Sequence, residues 1–384
     1  MNKQDKVGVA IVGCGAISQI YFENLINNFS IIEVLGCCDL NKNLADKYAD
    51  QYGIKSMELE EIINNDEIEI VVNLTNPDAH YEVIKGLLEH GKHVYTEKVI
   101  APEFEQAKEL ATLAESKKLL LCSAPDTFLG AAIQTAKWVV NSGMIGKVTS
   151  SVAVLQRDAN LLAEKFPFTV RKGGGIGIDV GIYYTTAMIN ILGEVKEVCG
   201  MSGILFPEQT HYFVKNGNFE ESYVQESETY LVGSLQFSNG CVGTLHFNSR
   251  SIRMEKPYVA FYGTEGVLFL EDPNLFGGDV KVILKGQTEP IKVPYTHAYH
   301  ENNRGLGVAE MAWAMRKGRK PRAHASMALH ALEILTGIVE SQSVHSFYQM
   351  KTEFCIPDIL PKGYLGEEYA GSDPEAGLSI NDAG

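Results

Sequence analysis

The sequence predicts an α/β protein in two parts: a doubly wound parallel sheet up to about residue 125, then a domain built on a large, mainly antiparallel open sheet. Three observations carry this reading. Over the first part short apolar runs alternate with helical stretches, as strands buried on both faces of a parallel sheet require. From about residue 145 the pattern changes to period two, with hairpin signals such as Asn239-Gly240. The 384 residues, 45% hydrophobic and 21% charged, hold enough apolar material for two domains with sizeable cores.

The elements follow in order. "VGVAIV" is the first strand, and "GCGAIS" turns into a helix that runs to about Asn28. "IIEVLGCCD" is the second strand, with Asn41 placed to cap the next helix. "IEIVVNL", "HVYTE" and "LLLCS" complete this set of strands. Between them "PDAHYEVIKGLLEHG" and "PEFEQAKELATLAESKK" each open with a proline suited to a first helical turn. Farther on, "KVTSSVAVLQ", "EVKEVCGMSGILF", "SETYLVGSLQFSNGCVGTLHF" and "KPYVAFYGTEGVLFLED" read as strands of a sheet with one face left to solvent or to another subunit. Two helices follow, in "GLGVAEMAWAMRKG" and "ASMALHALEILTGIVESQS". The expected division is residues 1–125, 126–360 and an acidic, glycine-rich arm at 361–384.

The formal charge of −15 argues against a nucleic-acid partner, whose phosphates need a basic surface, and against an anionic membrane surface. No apolar run approaches the ~18 residues of a membrane span, and "MNKQDKVGVAIVGCG" enters a strand directly, so no signal peptide is expected. Seven scattered cysteines without a C-x-x-C pair read as reduced thiols, which fits a cytoplasmic protein.

Gly13-Cys14-Gly15-Ala16-Ile17-Ser18 directly follows the first strand. In a β-α-β setting this is a Rossmann dinucleotide signature. Gly13 permits the tight turn, Gly15 lets the backbone approach a pyrophosphate, and the small Ser18 allows close helix–sheet packing. The helix N-terminus, with Ala16 and Ile17, offers free N–H groups to the phosphates. Asp39 ends the second strand, where an acid accepts hydrogen bonds from the ribose hydroxyls. No arginine follows it immediately, so NAD is expected rather than NADP, although Lys42 lies close in sequence.

Taken together, "VGCGAIS", "NLTNPDAHYEVIKGLLEHGKHVYTEKVIA" and "GGGIGIDVGIYY" resemble the Gfo/Idh/MocA family, that of glucose–fructose oxidoreductase and inositol dehydrogenase, over about residues 7 to 345. The resemblance implies an N-terminal Rossmann domain and a C-terminal α/β domain whose open sheet forms a homo-oligomer interface. It makes Lys98 the lysine of the family's E-K-P motif and Glu97 its cofactor-side acid. Thr75, Asn76 and Pro77 become the loop beside the nicotinamide, with His80 on the helix after it also counted with the cofactor. Asp179 matches the acid of G-G-G-x-x-x-D-x-G-x-H, and Tyr183 stands where many members have histidine, a variation known in the family. Val99 replaces the motif's proline, so the loop loses that φ restriction and must be held by packing.

Four residues apart on one helical face, Asp179 and Tyr183 would point into the cleft, the glycines before them bringing backbone close to substrate. Oxidising a secondary alcohol needs a hydride acceptor and a group to take the hydroxyl proton. Lys98 and Tyr183 are read as one coupled acid–base unit, either being the immediate base, with Asp179 orienting the substrate. Asp126, Arg157, Lys172, His297 and His300 are further candidates for the substrate side. Asp126 and Thr127 stand where many members have a basic residue, which argues against a carboxylate substrate. His297 and His300 lack a third ligand at suitable spacing, so no metal is expected. The expected function is NAD-dependent oxidation of a sugar, a glycoside (at C3 of a glucosyl unit) or a cyclic polyol. The alternatives are glycoside cleavage by oxidation and elimination with NAD recycled, and a non-catalytic sensor.

Overall fold

The structure, a computed structural model, describes residues 6–163, 166–211, 219–252 and 256–361. The arm expected at 361–384 lies, apart from Pro361, outside the described residues.

The N-terminal part alternates as its sequence requires: β1 (Val7–Val12), α1 (Ser18–Asn27), β2 (Ile32–Cys38), α2 (Lys42–Tyr52), β3 (Lys55–Ser56), α3 (Leu59–Asn64), β4 (Ile70–Asn73), α4 (Pro77–Glu89), β5 (His93–Thr96), α5 (Phe104–Ser116) and β6 (Leu121–Ser123). All neighbouring strands are parallel, in the order β3-β2-β1-β4-β5-β6. Strands β1 and β4 are buried at every position, as a sheet covered on both faces demands. Between these two the strand order reverses, and such a switch point opens a crevice at the carboxyl ends. Asn41 caps α2 by accepting the Asn43 N–H, as its sequence position predicted.

The second part begins with α6 (Ala131–Asn141), β7 (Val148–Gln156), α7 (Asn160–Ala163) and α8 (Ile182–Leu192). It continues through β8 (Val195–Gly203), a two-stranded ribbon of β9 (Glu208–Thr210) and β10 (Ser222–Val224), β11 (Tyr230–Phe237), β12 (Val242–Asn248), β13 (Tyr258–Gly263), β14 (Gly266–Glu271), β15 (Val280–Leu284) and β16 (Ile291–Lys292). After these come α9 (Leu306–Lys317), α10 (Ala325–Val344) and β17 (Tyr348–Gln349). Nine strands pair in the order β16-β15-β14-β13-β7-β12-β11-β8-β17, antiparallel except for β12 beside β7. Helices α6, α8 and α10 cover one face of this sheet, and α8 is buried along its whole length.

A boundary at residue 125 separates the sheets but not the helices. Helix α9 packs on α1, β5 and β6, and α10 on α5 and β6. The Ser123 N–H donates to the Ala323 carbonyl at 3.0 Å, tying the returning chain to the first sheet. Residues 306–345 therefore belong as much to the first layer as to the second, which fixes the cleft between the two sheets.

Candidate active site

A cleft with a cavity volume of about 320 Å³ opens at the carboxyl ends of β1 and β4. On one side lie Gly15, Ala16 and Ile17, with Thr75 and Asn76 across from them. Gly13 has φ +98°, and a Cβ there would stand 2.7 Å from the Leu74 carbonyl, so only glycine lets the two turns touch. At Gly15 nothing lies within 4 Å of where a Cβ would be, leaving the backbone open to a ligand. Ser18 closes the turn by donating its hydroxyl to the Gly15 carbonyl at 2.8 Å. Asn73 holds the opposite loop, accepting from the Thr75 hydroxyl at 2.7 Å.

Each carboxylate oxygen of Asp39 accepts one main-chain N–H, from Cys14 and from Asn41, both at 2.7 Å. Their remaining lone pairs are left for ribose hydroxyls. Lys42 pairs with Glu58 at 3.7 Å, both exposed. An open glycine turn, a helix N-terminus and an acid at the end of β2 together fit a dinucleotide.

The chemical residues face this loop. Glu97 takes the Tyr21 hydroxyl on one oxygen at 2.8 Å and the Lys98 N–H on the other at 3.1 Å. Lys98 Nζ donates to the Asp179 carbonyl at 2.5 Å and to its Oδ1 at 3.0 Å. Oδ2 of Asp179 takes Arg157 Nη2 at 2.5 Å. Asp179 sits in a π-helical turn, Gly177–Gly181, that leads into α8, a distortion found often at functional sites. One turn on, the Tyr183 ring lies under Lys98 Nζ, 5.7 Å from its centroid. The Lys98–Val99 peptide is cis. In place of proline, the buried Val99 is held by packing and by His80, whose Nδ1 meets its carbonyl at 2.6 Å.

The charges resolve in one direction. Burial alone would lower the Lys98 ammonium's pKa, but Asp179, Tyr183 and Glu97 outweigh it and the net shift is upward. Burial would raise the Asp179 carboxyl, yet Lys98 and Arg157 bring it below its ordinary value. Burial raises the Tyr183 phenol, with Glu97, against Lys98 and Arg304, and the net shift is upward. Lys98 thus stays an ammonium, and a lysine neutralised to serve as immediate base finds no support. Asp179 binds one cation on each oxygen, so it orders Lys98 and Arg157 about the cleft.

Several expected residues lie elsewhere. His80 is buried behind the loops, its Nε2 meeting the Thr75 carbonyl at 3.0 Å, so it braces them and does not line the cleft. Asp126 is buried and accepts the Gly305 and Gly307 N–H groups at 2.9 and 3.0 Å, which makes it a loop clamp. His297 is buried, its Nε2 donating to the Leu360 carbonyl at 2.8 Å. Lys172 is exposed outside the cleft, and His300 borders a separate cavity beside Asn274 and Arg304. Arg157 alone of the expected substrate residues lines the cleft.

The glycine run has a packing part. A Cβ on Gly174 would lie 1.8 Å from the Phe168 carbonyl, and one on Gly175 only 1.9 Å from the Glu228 carboxyl carbon. Gly174 lets the Phe166–Thr169 segment, and Gly175 the Glu228 carboxylate, close against the helix start. That segment supplies Phe166, Phe168 and Thr169 to the cleft, and Asn274 arrives from after β14. The "FPF" at 166–168 was a readable aromatic signal, whereas nothing local marks Asn274. Among the described residues no three His, Cys, Asp or Glu side chains group as metal ligands.

Comparison with known proteins agrees with this geometry. Residues 7–124 match the family model described as "Oxidoreductase family, NAD-binding Rossmann fold", and residues 133–269 match the "GFO/IDH/MocA C-terminal domain". An uncharacterized oxidoreductase, YhhX, of Escherichia coli (strain K12) is 37% identical over 141 residues, 37% of this chain and 40% of that protein. The chain spans only 38–40% of the length of the first such relatives. The scyllo-inositol 2-dehydrogenase (NAD(+)) of Bacillus subtilis (strain 168) is 24% identical over 83% of this chain and 89% of its own. A levoglucosan dehydrogenase solved with NADH shares the fold, with a TM-score of 0.77 at 17% identity over 90% of this chain and 100% of that one.

Proposed function

The chain belongs to the Gfo/Idh/MocA oxidoreductase family, and on that premise we propose that it is an NAD-dependent dehydrogenase oxidising a secondary hydroxyl of a sugar, a glycoside or a cyclic polyol. One observation carries the reading: Lys98, Asp179 and Tyr183 converge in the same cleft as the glycine turn and the Thr75–Asn76 loop. Phe166 and Phe168 give that cleft an apolar wall of the kind on which the C–H face of a sugar ring packs. The relatives named for scyllo-inositol and levoglucosan support a polyhydroxylated ring as the substrate class. The narrower form is oxidation at C3 of a glucosyl unit. It rests on the resemblance of "PDTFLG" and "NNRGLGVAEMAWA" to a glycoside-oxidising subgroup of the family, two stretches that the Asp126 clamp joins to one another.

Gly15, Ala16, Ile17, Asp39, Thr75, Asn76 and Glu97 would hold NAD, which when bound supplies a hydride acceptor for the substrate carbon. The hydroxyl proton is left to the protein. Two of the three Lys98 N–H bonds are spent on Asp179, so the third is free to hold the substrate oxygen. Tyr183, beside Lys98, exchanges the proton with that oxygen. Because burial lifts the phenol's pKa, oxidation should quicken as pH rises toward Tyr183 ionisation, and carbonyl reduction should be favoured at neutral pH.

The test follows nicotinamide absorbance with NAD, then NADP, against free sugars, inositols and glucosides. Reduction confined to one class supports the reading and names the class. Product without net reduction would replace it with oxidation and elimination on recycled NAD. No reaction would move the protein to a sensor. Lys98→Ala should lose roughly 10²–10⁴-fold in turnover while still binding NAD, and unchanged turnover removes this mechanism.

A further inference from the structure

The cavity that His300 borders is a built space. Its volume is about 310 Å³, close to that of the cleft, and the two share Asn274 as a common wall. One side is the loop 274–278 and the other the loop 300–304. Both hang from the first turn of α6: the Ala132 N–H donates to the Phe276 carbonyl and the Ala131 N–H to the Tyr299 carbonyl, each at 3.0 Å. A Cβ on Gly277 would stand 2.4 Å from the His300 carbonyl, so the two walls meet in a contact that only glycine permits. Asn24, from α1, donates Nδ2 to the Asn302 and Arg304 carbonyls at 2.9 and 2.8 Å, which fixes the second loop. The Asn274 N–H meets Asp272 Oδ1 at 3.0 Å, and the Tyr184 hydroxyl donates to the same oxygen at 2.9 Å. Asn274 is thereby tied to α8 at the residue after Tyr183.

Resting on the dehydrogenase reading above, we propose that this cavity is a second sugar subsite. The substrate is then a glycoside of at least two sugar rings, one oxidised in the cleft and the next held against Leu275, His300 and Glu301, with Asn274 at the junction.

The lining suits a neutral, hydroxylated ligand. Arg304 and Glu301 bring opposite charges, so the space selects neither a phosphate nor a cation. The Arg304 guanidinium is engaged with its neighbours, Nη1 donating to Asn302 Oδ1 at 2.6 Å and Nη2 to Asn274 Oδ1 at 2.9 Å. Among the described residues, the Glu301 carboxylate, the His300 ring nitrogens and the Asn274 amide nitrogen take no side-chain hydrogen bond from the protein. A carboxylate accepts, an amide nitrogen donates and a neutral imidazole does one of each, a set that matches hydroxyls, which do both. The His300 ring is held in plane by stacking on Tyr295, with centroids 5.8 Å apart. Leu275, 52% exposed at the cavity, offers an apolar surface to the C–H face of a ring. None of the residues that would hold NAD borders this cavity, so the cofactor leaves it open.

The test compares kcat/KM, with NAD, for cellobiose, maltose and trehalose against methyl α- and β-glucoside. At least one disaccharide should exceed the methyl glucosides by about tenfold, the worth of one or two net hydrogen bonds. Glu301→Ala and His300→Ala, both at exposed positions, should each cut that advantage by roughly threefold to tenfold. No disaccharide advantage in the parent, or variants that slow both classes alike, overturns the subsite. If the parent oxidises no carbohydrate, the dehydrogenase reading fails. Calorimetric titration of the NADH-loaded protein with the same disaccharides then decides the subsite alone. Binding weakened in Glu301→Ala and His300→Ala sustains it, and binding that is absent or unaltered refutes it.

Discussion

A carboxylate that takes Lys98 on one oxygen and Arg157 on the other, with its side chain only 9% exposed, is costly to remove. Asp179→Ala would strand an ammonium and a guanidinium in a space built for three charges. Breaking a buried pair in this way costs about 3–5 kcal/mol, and urea unfolding at neutral pH should read a loss of that order. A loss well under about 1 kcal/mol would mean that water screens the cluster as it screens a surface pair. The sign with pH follows from the lowered carboxyl. Its contribution is present above the ordinary carboxylate value of 3.8 and is lost only as pH falls through the lower folded value. His80 shows the same economy in a neutral group. Both its nitrogens face carbonyls, so an uncharged ring satisfies one and leans on the other without a hydrogen bond.

Helix α8 is aimed by its first turn, and that turn is set by what fits around Gly174 and Gly175. The Glu228 carboxyl stands against the start of that turn, and burial raises its pKa while the N–H groups of Gly177 and Ile178 work in the opposite direction. A methyl at position 175 would collide with that carboxylate. Gly175→Ala should therefore destabilise by roughly 1–3 kcal/mol. Much of that should be recovered when Glu228→Ser is added, and additive losses would place the clash elsewhere. The loop after β16 depends on Asp126 in a parallel way. Burial, partly offset by the Gly307 and Gly305 N–H groups and Arg304, lifts its carboxyl to about 6 from 3.8. A raised folded pKa gives stability that is complete below 3.8 and lost as pH rises through about 6. At 1.36 kcal/mol per unit this amounts to roughly 3 kcal/mol. Asp126→Asn keeps an acceptor for both glycines without the charge. Relative to the parent it should gain stability between pH 4 and pH 7, and a pH-independent difference would show that Asp126 ionises normally.

At the scale of the molecule, what the sequence showed was local periodicity, and what it hid was distance. The parallel sheet was legible because β1, β2, β4, β5 and β6 are short, mainly apolar runs between helical stretches; β3, two residues of "KS", carries no pattern at all. The glycine turn, Asp39, Lys98, Asp179 and Tyr183 were legible because each sits in a local motif, Asp179 and Tyr183 in the same one. Asn274 reaches the cleft from a loop whose neighbours offer no such pattern. The return of α9 to the first sheet was hidden for the same reason, since burial all round a helix does not say against what. One expectation of the whole molecule is still a proposal: association through the open sheet. Met201, Val232, His246, Val154 and Tyr258 are register partners across five adjacent strands, a row on the face that the helices leave uncovered. Met201 is 68% exposed there and Val242, two positions before Thr244 on the same strand face, 52%. An apolar row on a flat sheet is a surface that a second copy would bury. Light scattering after size exclusion should find an oligomer, and Met201→Lys with Val232→Lys should shift it toward monomer by setting charges in the interface. A parent that already runs as a monomer would refute association through this face, and the row would then be solvated surface.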